Sequence, residues 1–479
     1  MRILGPDGKP LSSDAGVSEE VKQCVERARL IAAEGDPAMA LQQLVFAFQQ
    51  DVTSDIILQA TVELLTQMMQ MSGSESSDEL DLFNKLIENR SDPTLYYQVG
   101  SRFCQLQQPY IGRPFLVQAR KLVGNDLTQL TQMIDVDIAQ SLMDLGDYEG
   151  AINGFHGLND LYGGIPIWLV LEMAECYALL RQIDEADAVY QIAPAEAAAQ
   201  FDGMEAVREE VGDLLARVRD FDGEEEMLLQ DWHYVQTRGM LMEVNPDENV
   251  PGGRFVFFQP NEEDVAYLVA VTAALLDEKG YAPNRILWLG PTSEPLALLF
   301  SEWWDVDPAN IREYRNGDNT EDENDMALLV MAHSYDVMRL TDEASFIDMA
   351  QARSGMIVFA LDVRWTERQP MCPDIAGFLS QQCQLPWETR FLVDEEKKQV
   401  TRVDETRTPA EVAKGISALF PPDEECDDFA KEILEGYEGC TDLILDHRDS
   451  TLIRRPLVTH SPVKSARWGL VNVATPQAE

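Results

Sequence analysis

Basic residues are scarce in this sequence. Its 479 residues include 37 Lys and Arg against 84 Asp and Glu, which gives a formal net charge of -47 at pH 7. Because binding to phosphates depends on their neutralisation by Lys and Arg, this balance argues against nucleic acid and anionic membranes as partners. We expect a strongly solvated surface and, as a partner, a basic or apolar segment of another protein.

Cysteine pairs and long apolar runs are lacking as well. No C-x-x-C pair occurs and no His stands near a Cys at zinc-ligand spacing, so we predict reduced thiols and no metal site. No N-terminal segment resembles a signal peptide, and no apolar run is long enough to span a bilayer. We therefore expect a cytoplasmic protein without membrane insertion, and its oligomeric state stays open. The scattered cysteines are Cys24, Cys104, Cys176, Cys372, Cys383, Cys426 and Cys440.

Three segments of the N-terminal half can be aligned on one alanine. In each, another alanine stands twelve residues earlier, a large apolar or aromatic residue nine residues earlier, and another four residues later. Small residues let two helices approach closely, while large ones fill the groove between neighbouring units, so the spacing predicts units of two helices. The aligned sets are Ala28, Ile31, Ala40 and Leu44; Ala139, Leu142, Ala151 and Phe155; and Ala174, Tyr177, Ala186 and Tyr190.

The stretch LGDYEGAI at 145–152 resembles the turn and second helix of a tetratricopeptide repeat. The resemblance implies a stack of helical hairpins whose concave face binds a protein partner, an interaction role rather than catalysis. We also predict a helical pair on each side of residue 91, the second pair broken by Pro109 and Pro114, and a capping helix at 204–219. The predicted pairs cover 53–70 with 78–90 and 94–106 with 113–122.

Beyond residue 253 short apolar runs alternate with helical stretches, which predicts a mostly parallel sheet covered by helices. The fold class is therefore an all-α helical-repeat solenoid followed by an α/β, Rossmann-like domain. The predicted strands are 254–258, 285–290, 311–315, 326–333 and 355–363, with a hairpin at 390–405 and helices at 262–279, 295–304, 341–352, 409–419 and 429–436. The predicted domains are an N-terminal arm at 1–17, the repeats at 18–220, a linker at 221–253, the α/β domain at 254–420 and an extension with a basic tail at 421–479.

In open α/β sheets, ligands bind beyond the carboxyl ends of the strands. The residues at those ends are therefore the candidate ligand-binding residues, although the sequence names no cofactor. His333 could act as a base, but a lone His at a strand end is more often a hydrogen-bonded structural residue. The candidates are Gly290, Thr292 and Ser293 after one strand, Glu313 at the end of the next, His333, Ser334 and Asp336 after a third, and Asp362 in a fourth.

The order of these pieces resembles the core of a class I methyltransferase. Residues 290–295 read GPTSEP where that family has a glycine-rich loop, and one strand is evident between 291 and 325 where it has two. These departures favour a non-catalytic domain. We therefore expect an interaction or scaffold protein. The alternatives are a methyltransferase-like enzyme with an atypical cofactor loop and a sensor of a small ligand or nucleotide.

The C-terminal tail is opposite in charge to the rest of the chain. It carries Arg454, Arg455, Lys464 and Arg467, with Glu479 as the single acidic residue beyond position 450. A basic segment on an acidic protein is expected either to dock on its own surface or to reach a partner.

Overall fold

The structure is a computed structural model, and its described residues divide into two compact units, one up to Val211 and the other from Gly212 onwards. The N-terminal arm, the helix predicted at 341–352 and the basic tail fall almost wholly outside the described residues. Those residues are 17–33, 35, 37–74, 76–106, 108–201, 203–243, 254–315, 326–339, 355–366, 369, 371–388, 390–394 and 399–446.

The first unit is built from helices joined by short connections. Helices adjacent in the sequence pack in pairs, α1 with α2, α4 with α5, α6 with α7, α8 with α9, and α10 with α11, and each pair also packs on the next. This succession of stacked hairpins is a helical-repeat-like architecture. The helices are α1 (Glu19–Ala33), α2 (Pro37–Gln43), α3 (Val45–Asp51), α4 (Asp55–Ser72), α5 (Asp78–Glu88), α6 (Pro93–Gln105), α7 (Pro109–Val123), α8 (Gln129–Asp144), α9 (Tyr148–Tyr162), α10 (Ile167–Leu179), α11 (Ile183–Tyr190), α12 (Ala195–Ala198) and α13 (Met204–Arg219), the last of which continues past Val211 into the second unit.

Local chemistry sets the boundaries of these helices. Between α8 and α9, Gly146 has a φ of 77° and the Asp147 carboxylate accepts a hydrogen bond from the backbone N–H of Gly150, which caps α9. The expected break at Pro109 is present, since α6 ends at Gln105 and α7 begins at Pro109, whereas the expected break at Pro114 is wrong. Pro109 occupies the first turn of α7, where its missing N–H has no helical partner to lose, and Pro114 lies within the continuous helix.

The small residues of the repeat pattern lie at the helix contacts. All six aligned alanines are buried, as is Phe155, while the Tyr177 hydroxyl lies 3.0 Å from His156 Nε2 and that of Tyr190 donates to the backbone oxygen of Arg208. The helices α6 and α7 approach each other closely, because a Cβ on Gly112 would overlap the backbone oxygen of Gly100. These helices therefore meet through glycine, which permits closer contact than alanine does.

The second unit contains a parallel sheet with helices packed against it. The central strands β5 and β6 are buried along nearly their whole length, as expected of a sheet covered on both faces. Its strands are β1 (Met240–Leu241), β2 (Phe255–Phe258), β3 (Arg285–Leu289), β4 (Ile311–Glu313), β5 (Ala327–His333), β6 (Met356–Arg364) and β7 (Ile375–Cys383), with a separate antiparallel hairpin of β8 (Arg390–Asp394) and β9 (Gln399–Val403). Its helices are α14 (Leu229–Thr237), α15 (Glu262–Glu278), α16 (Glu294–Trp304), α17 (Pro409–Ser417) and α18 (Asp423–Gly436).

The strand order is β4-β3-β5-β6-β7, and β1 and β2 pair one after the other with the free edge of β7. Every pairing within this sheet is parallel. The chain leaves β3 towards β4 on one side and then crosses to β5 on the other. The strand order therefore reverses between β3 and β5, the position where open α/β sheets usually bind their ligands.

Two parts of this unit differ from the sequence expectations. Residues 229–241, inside the expected linker, form α14 and β1, and β1 pairs with β7 at Ile375 and Ala376. The strand β7 itself was not predicted, because it contains Gly377 and ends in polar residues, both typical of loops. A Cβ on Gly377 would lie 2.5 Å from the Leu361 oxygen, so this glycine lets β7 approach β6 closely.

Candidate functional site

The residues proposed from the sequence do lie at the carboxyl ends of the strands. Gly290, Thr292 and Ser293 form the turn between β3 and α16, Glu313 is exposed at the end of β4, and His333 ends β5. Ser334 and Asp336 lie in the 3-10 helix Ser334–Arg339 that follows β5, and Asp362 lies near the end of β6. The structure thus brings these residues, apart from Glu313 and Ser334, into two neighbouring sets of contacts.

The first set lies at the carboxyl end of β3, next to the point where the strand order reverses. Gly290 has a φ of 96°, and a Cβ at this position would overlap the carboxylate of Asp336, which is 1% exposed. The indole N–H of Trp387 donates to the backbone oxygen of Thr292 at 2.8 Å. The Asp336 carboxylate therefore lies directly against Gly290, in the loop that would approach a ligand in an open α/β sheet.

Ser293 holds the β3–α16 turn against β5. It stands at the N-cap position of α16, but its hydroxyl makes no capping hydrogen bond. The hydroxyl instead donates to the Leu289 oxygen at 2.5 Å and accepts from the Ala332 N–H at 2.8 Å. The Ser293 hydroxyl thus links the end of β3 to the end of β5 by two hydrogen bonds.

The second set is a hydrogen-bonded network around His333. Its Nδ1 lies 3.0 Å from Asp362 Oδ2 and its Nε2 lies 3.0 Å from Glu388 Oε1. Burial alone would lower the pKa of His333, but the hydrogen bonds to Asp362 and Glu388 and their charges outweigh it and raise the pKa to about 9. At neutral pH the ring is an imidazolium that donates one hydrogen bond to each carboxylate.

Further contacts orient the members of this network. The Ser380 hydroxyl donates to Asp362 Oδ1 at 2.6 Å, and the backbone N–H of Leu385 donates to Glu388 Oε2 at 2.9 Å. The Tyr335 ring stacks on His333 with ring centroids 5.1 Å apart. Each carboxylate therefore uses one oxygen for His333 and the other for a second donor, which fixes its orientation.

This arrangement limits the chemistry that His333 can perform. A general base needs an unprotonated nitrogen within reach of a substrate proton, and both ring nitrogens of His333 hold protons that face carboxylates. Burial is also the main cause that raises the pKa of the Cys383 thiol well above its ordinary value, so this sulfur is protonated and a poor nucleophile. In this network both ring nitrogens of His333 are therefore already engaged by carboxylates.

The sequence interpretation missed the residues that β7 contributes. Ser380 and Cys383 belong to this strand and Glu388 follows it, so overlooking β7 meant overlooking all three. The apolar run IAGFL at 375–379 was the available signal. A short apolar run bounded by turn residues is consistent with a buried strand, but Gly377 weakens that prediction.

No protein-family model matches this chain, and no curated protein is significantly similar to it. Among the residues that the structure describes, no helix has the length and apolar character needed to cross a membrane.

Proposed function

We propose that the chain is a protein-interaction or scaffold protein, in which tetratricopeptide-type hairpins hold a partner and the α/β unit is non-catalytic. The observation that carries this proposal is the closed network around His333, where both nitrogens of the one candidate base face carboxylates. A methyltransferase-like enzyme or a small-ligand sensor would need open space where the strand order reverses. The overlap that Asp336 would have with any side chain at position 290 argues against that space.

The charge of the first helix in three of the five hairpins supports a basic partner. The helices α4, α8 and α10 contain acidic residues but neither Lys nor Arg, whereas α1 and α6 do contain basic residues. Hydrogen bonds connect α8 to its neighbours, since Asp137 of α8 binds the side chains of Tyr97 and Ser101 in α6, and Gln140 of α8 donates to Glu172 of α10 at 2.9 Å. The adjacent acidic helices α8 and α10 would attract a basic segment at long range.

Exposed apolar side chains on the same helices would provide short-range contacts. Met71 of α4 is 61% exposed and Met133 of α8 is 42% exposed. Methionine is flexible and polarisable, so it adapts to partner side chains of different shapes. A partner segment that combines Lys or Arg with apolar residues fits both features.

The test is the binding of a labelled amphipathic peptide of alternating Lys and Leu clusters to the full chain, followed by fluorescence anisotropy at low and high salt. We expect binding that weakens with salt, and none to the peptide with Glu in place of Lys. The double variant Asp144→Asn, Glu175→Gln on the first helices should weaken binding by about 0.2–1 kcal/mol per lost contact. The matched variant Glu149→Gln, Asp160→Asn on α9 should bind as the wild type does. Equal binding by both double variants, or no binding of the basic peptide, would contradict the proposal.

A further inference from the structure

Three side chains with metal-binding donor atoms meet at the carboxyl ends of three adjacent strands. His333 ends β5, Asp362 lies near the end of β6 and Cys383 ends β7. One donor atom of each lies within 4.8 Å of the other two, and all three residues are buried or half-buried. Imidazole nitrogen, carboxylate oxygen and thiolate sulfur are the donors that zinc takes in proteins.

We propose that His333, Asp362 and Cys383 bind one Zn²⁺ ion and that this ion fastens the ends of the three strands together. In this site His333 coordinates through Nδ1, Asp362 through Oδ2 and Cys383 through Sγ. Three protein ligands leave the fourth position of a tetrahedral site to water or another donor. The inference goes beyond the interaction function and does not depend on it.

The groups that orient metal ligands in known sites are already in place here. A ligating His usually donates its other ring N–H to a carboxylate, and His333 Nε2 faces Glu388 Oε1 at 3.0 Å. A ligating carboxylate is usually hydrogen-bonded in turn, and Asp362 Oδ1 accepts from the Ser380 hydroxyl. Neither contact uses the atoms assigned to the ion, so both persist when it binds.

The spacing of the donor atoms suits a small ion. Nδ1 of His333 and Oδ2 of Asp362 are 3.0 Å apart. Two ligands bonded at about 2.0–2.2 Å to a tetrahedral ion stand slightly farther apart than this, so a small outward shift admits the metal. The hydrogen bond between these two atoms is then replaced by two bonds to zinc.

The experiment titrates the metal-free full chain, prepared with a chelator, with Co²⁺ as a spectroscopic substitute and then with competing Zn²⁺. We expect one equivalent of Co²⁺ to bind with a thiolate-to-cobalt charge-transfer absorption and Zn²⁺ to displace it. Cys383→Ser should lose that absorption. The control variant Cys426→Ser, which removes a buried thiol on α18 instead, should retain the charge-transfer absorption. A wild-type chain that binds no equivalent of either ion, or a Cys383→Ser variant that keeps the absorption, would overturn the proposal.

The variant Glu388→Gln tests the positioning role separately. Its amide oxygen can still accept from His333 Nε2 but carries no charge. We expect zinc affinity to fall about 10- to 100-fold while the charge-transfer absorption of the cobalt complex remains. An unchanged zinc affinity would show that Glu388 does not position His333 for the metal. A variant that binds no metal although its circular dichroism is that of the wild type would instead make Glu388 a direct ligand and overturn the proposed ligand set.

Discussion

The substitution Gly112→Ala probes the close contact between α6 and α7 in the first unit. The added Cβ would overlap the backbone oxygen of Gly100 and lie 2.8 Å from Cys104 Sγ. A backbone oxygen cannot move away by a rotamer change, so α6 and α7 must separate. Overpacking of this kind typically costs about 1–3 kcal/mol. Alanine also has the better helix propensity, which offsets about 0.5–1 kcal/mol of the loss.

A matched control cancels the propensity contribution. Gly157 lies within α9, and a Cβ there would meet no atom within 4 Å. Gly157→Ala should therefore gain about 0.5–1 kcal/mol, and the difference between the two variants gives the overpacking cost of about 1–3 kcal/mol. For a unit of this size, each kcal/mol shifts the unfolding midpoint by roughly 2–4 °C.

Urea unfolding followed by circular dichroism measures the global difference between these variants. Hydrogen exchange of peptides from residues 93–123 localises it, because only amides of α6 and α7 should lose protection in Gly112→Ala. A Gly112→Ala chain as stable as Gly157→Ala, with unchanged protection in both helices, would refute the packing described for this hairpin.

Three further predictions concern the second unit. Complete burial lowers the pKa of His233 to about 4, so this ring stays neutral in the folded chain but takes up a proton below about pH 6.5 in the unfolded chain. The free energy of unfolding should therefore fall by up to about 3 kcal/mol as the pH drops from 6.5 to 4. Urea unfolding of His233→Gln should lack this part of the pH dependence. Gly377→Ala places a Cβ 2.5 Å from the Leu361 oxygen and should cost about 1–3 kcal/mol, measured as a lower thermal midpoint; an unchanged midpoint would mean that β6 and β7 are farther apart than described. Thr408→Ala removes the reciprocal cap with Glu411 at the start of α17 and should cost about 0.5–2 kcal/mol, with faster hydrogen exchange confined to that helix; exchange that speeds up throughout the unit would contradict a local capping role.

Much of the fold follows from local sequence patterns. The helix predicted at 204–219 coincides with α13, and the apolar run at 326–333 becomes β5, because helix caps and long apolar runs are encoded by neighbouring residues. The fold class, helical repeats followed by a mostly parallel α/β unit, is confirmed. Pro114 shows the limit of local patterns, since packing keeps α7 continuous through a residue that normally interrupts helices.

The candidate site was only partly predictable, since its contacts join residues distant in the sequence. Because open α/β sheets bind ligands beyond the carboxyl ends of their strands, His333 and Asp362 could be chosen as candidates from the sequence alone. Glu388, 55 residues after His333, could not be paired with it from spacing alone. The same holds for the proposed zinc ligands, because Cys383 stands far from any His along the chain and joins His333 only through the pairing of β5, β6 and β7.

The measurement that tests the central claim most directly is the thermal unfolding of the full chain with S-adenosylmethionine, dinucleotides and mononucleotides, each with and without a chelator. A ligand that binds the folded state at 100 times its dissociation constant stabilises it by about 2.7 kcal/mol. Because the Asp336 carboxylate lies against Gly290 at the ends of β3 and β5, we predict no shift of the midpoint with any of these ligands. A saturable rise of the unfolding midpoint with one of these ligands, seen both with and without the chelator, would contradict a non-catalytic α/β unit. It would instead support an enzyme or a ligand sensor.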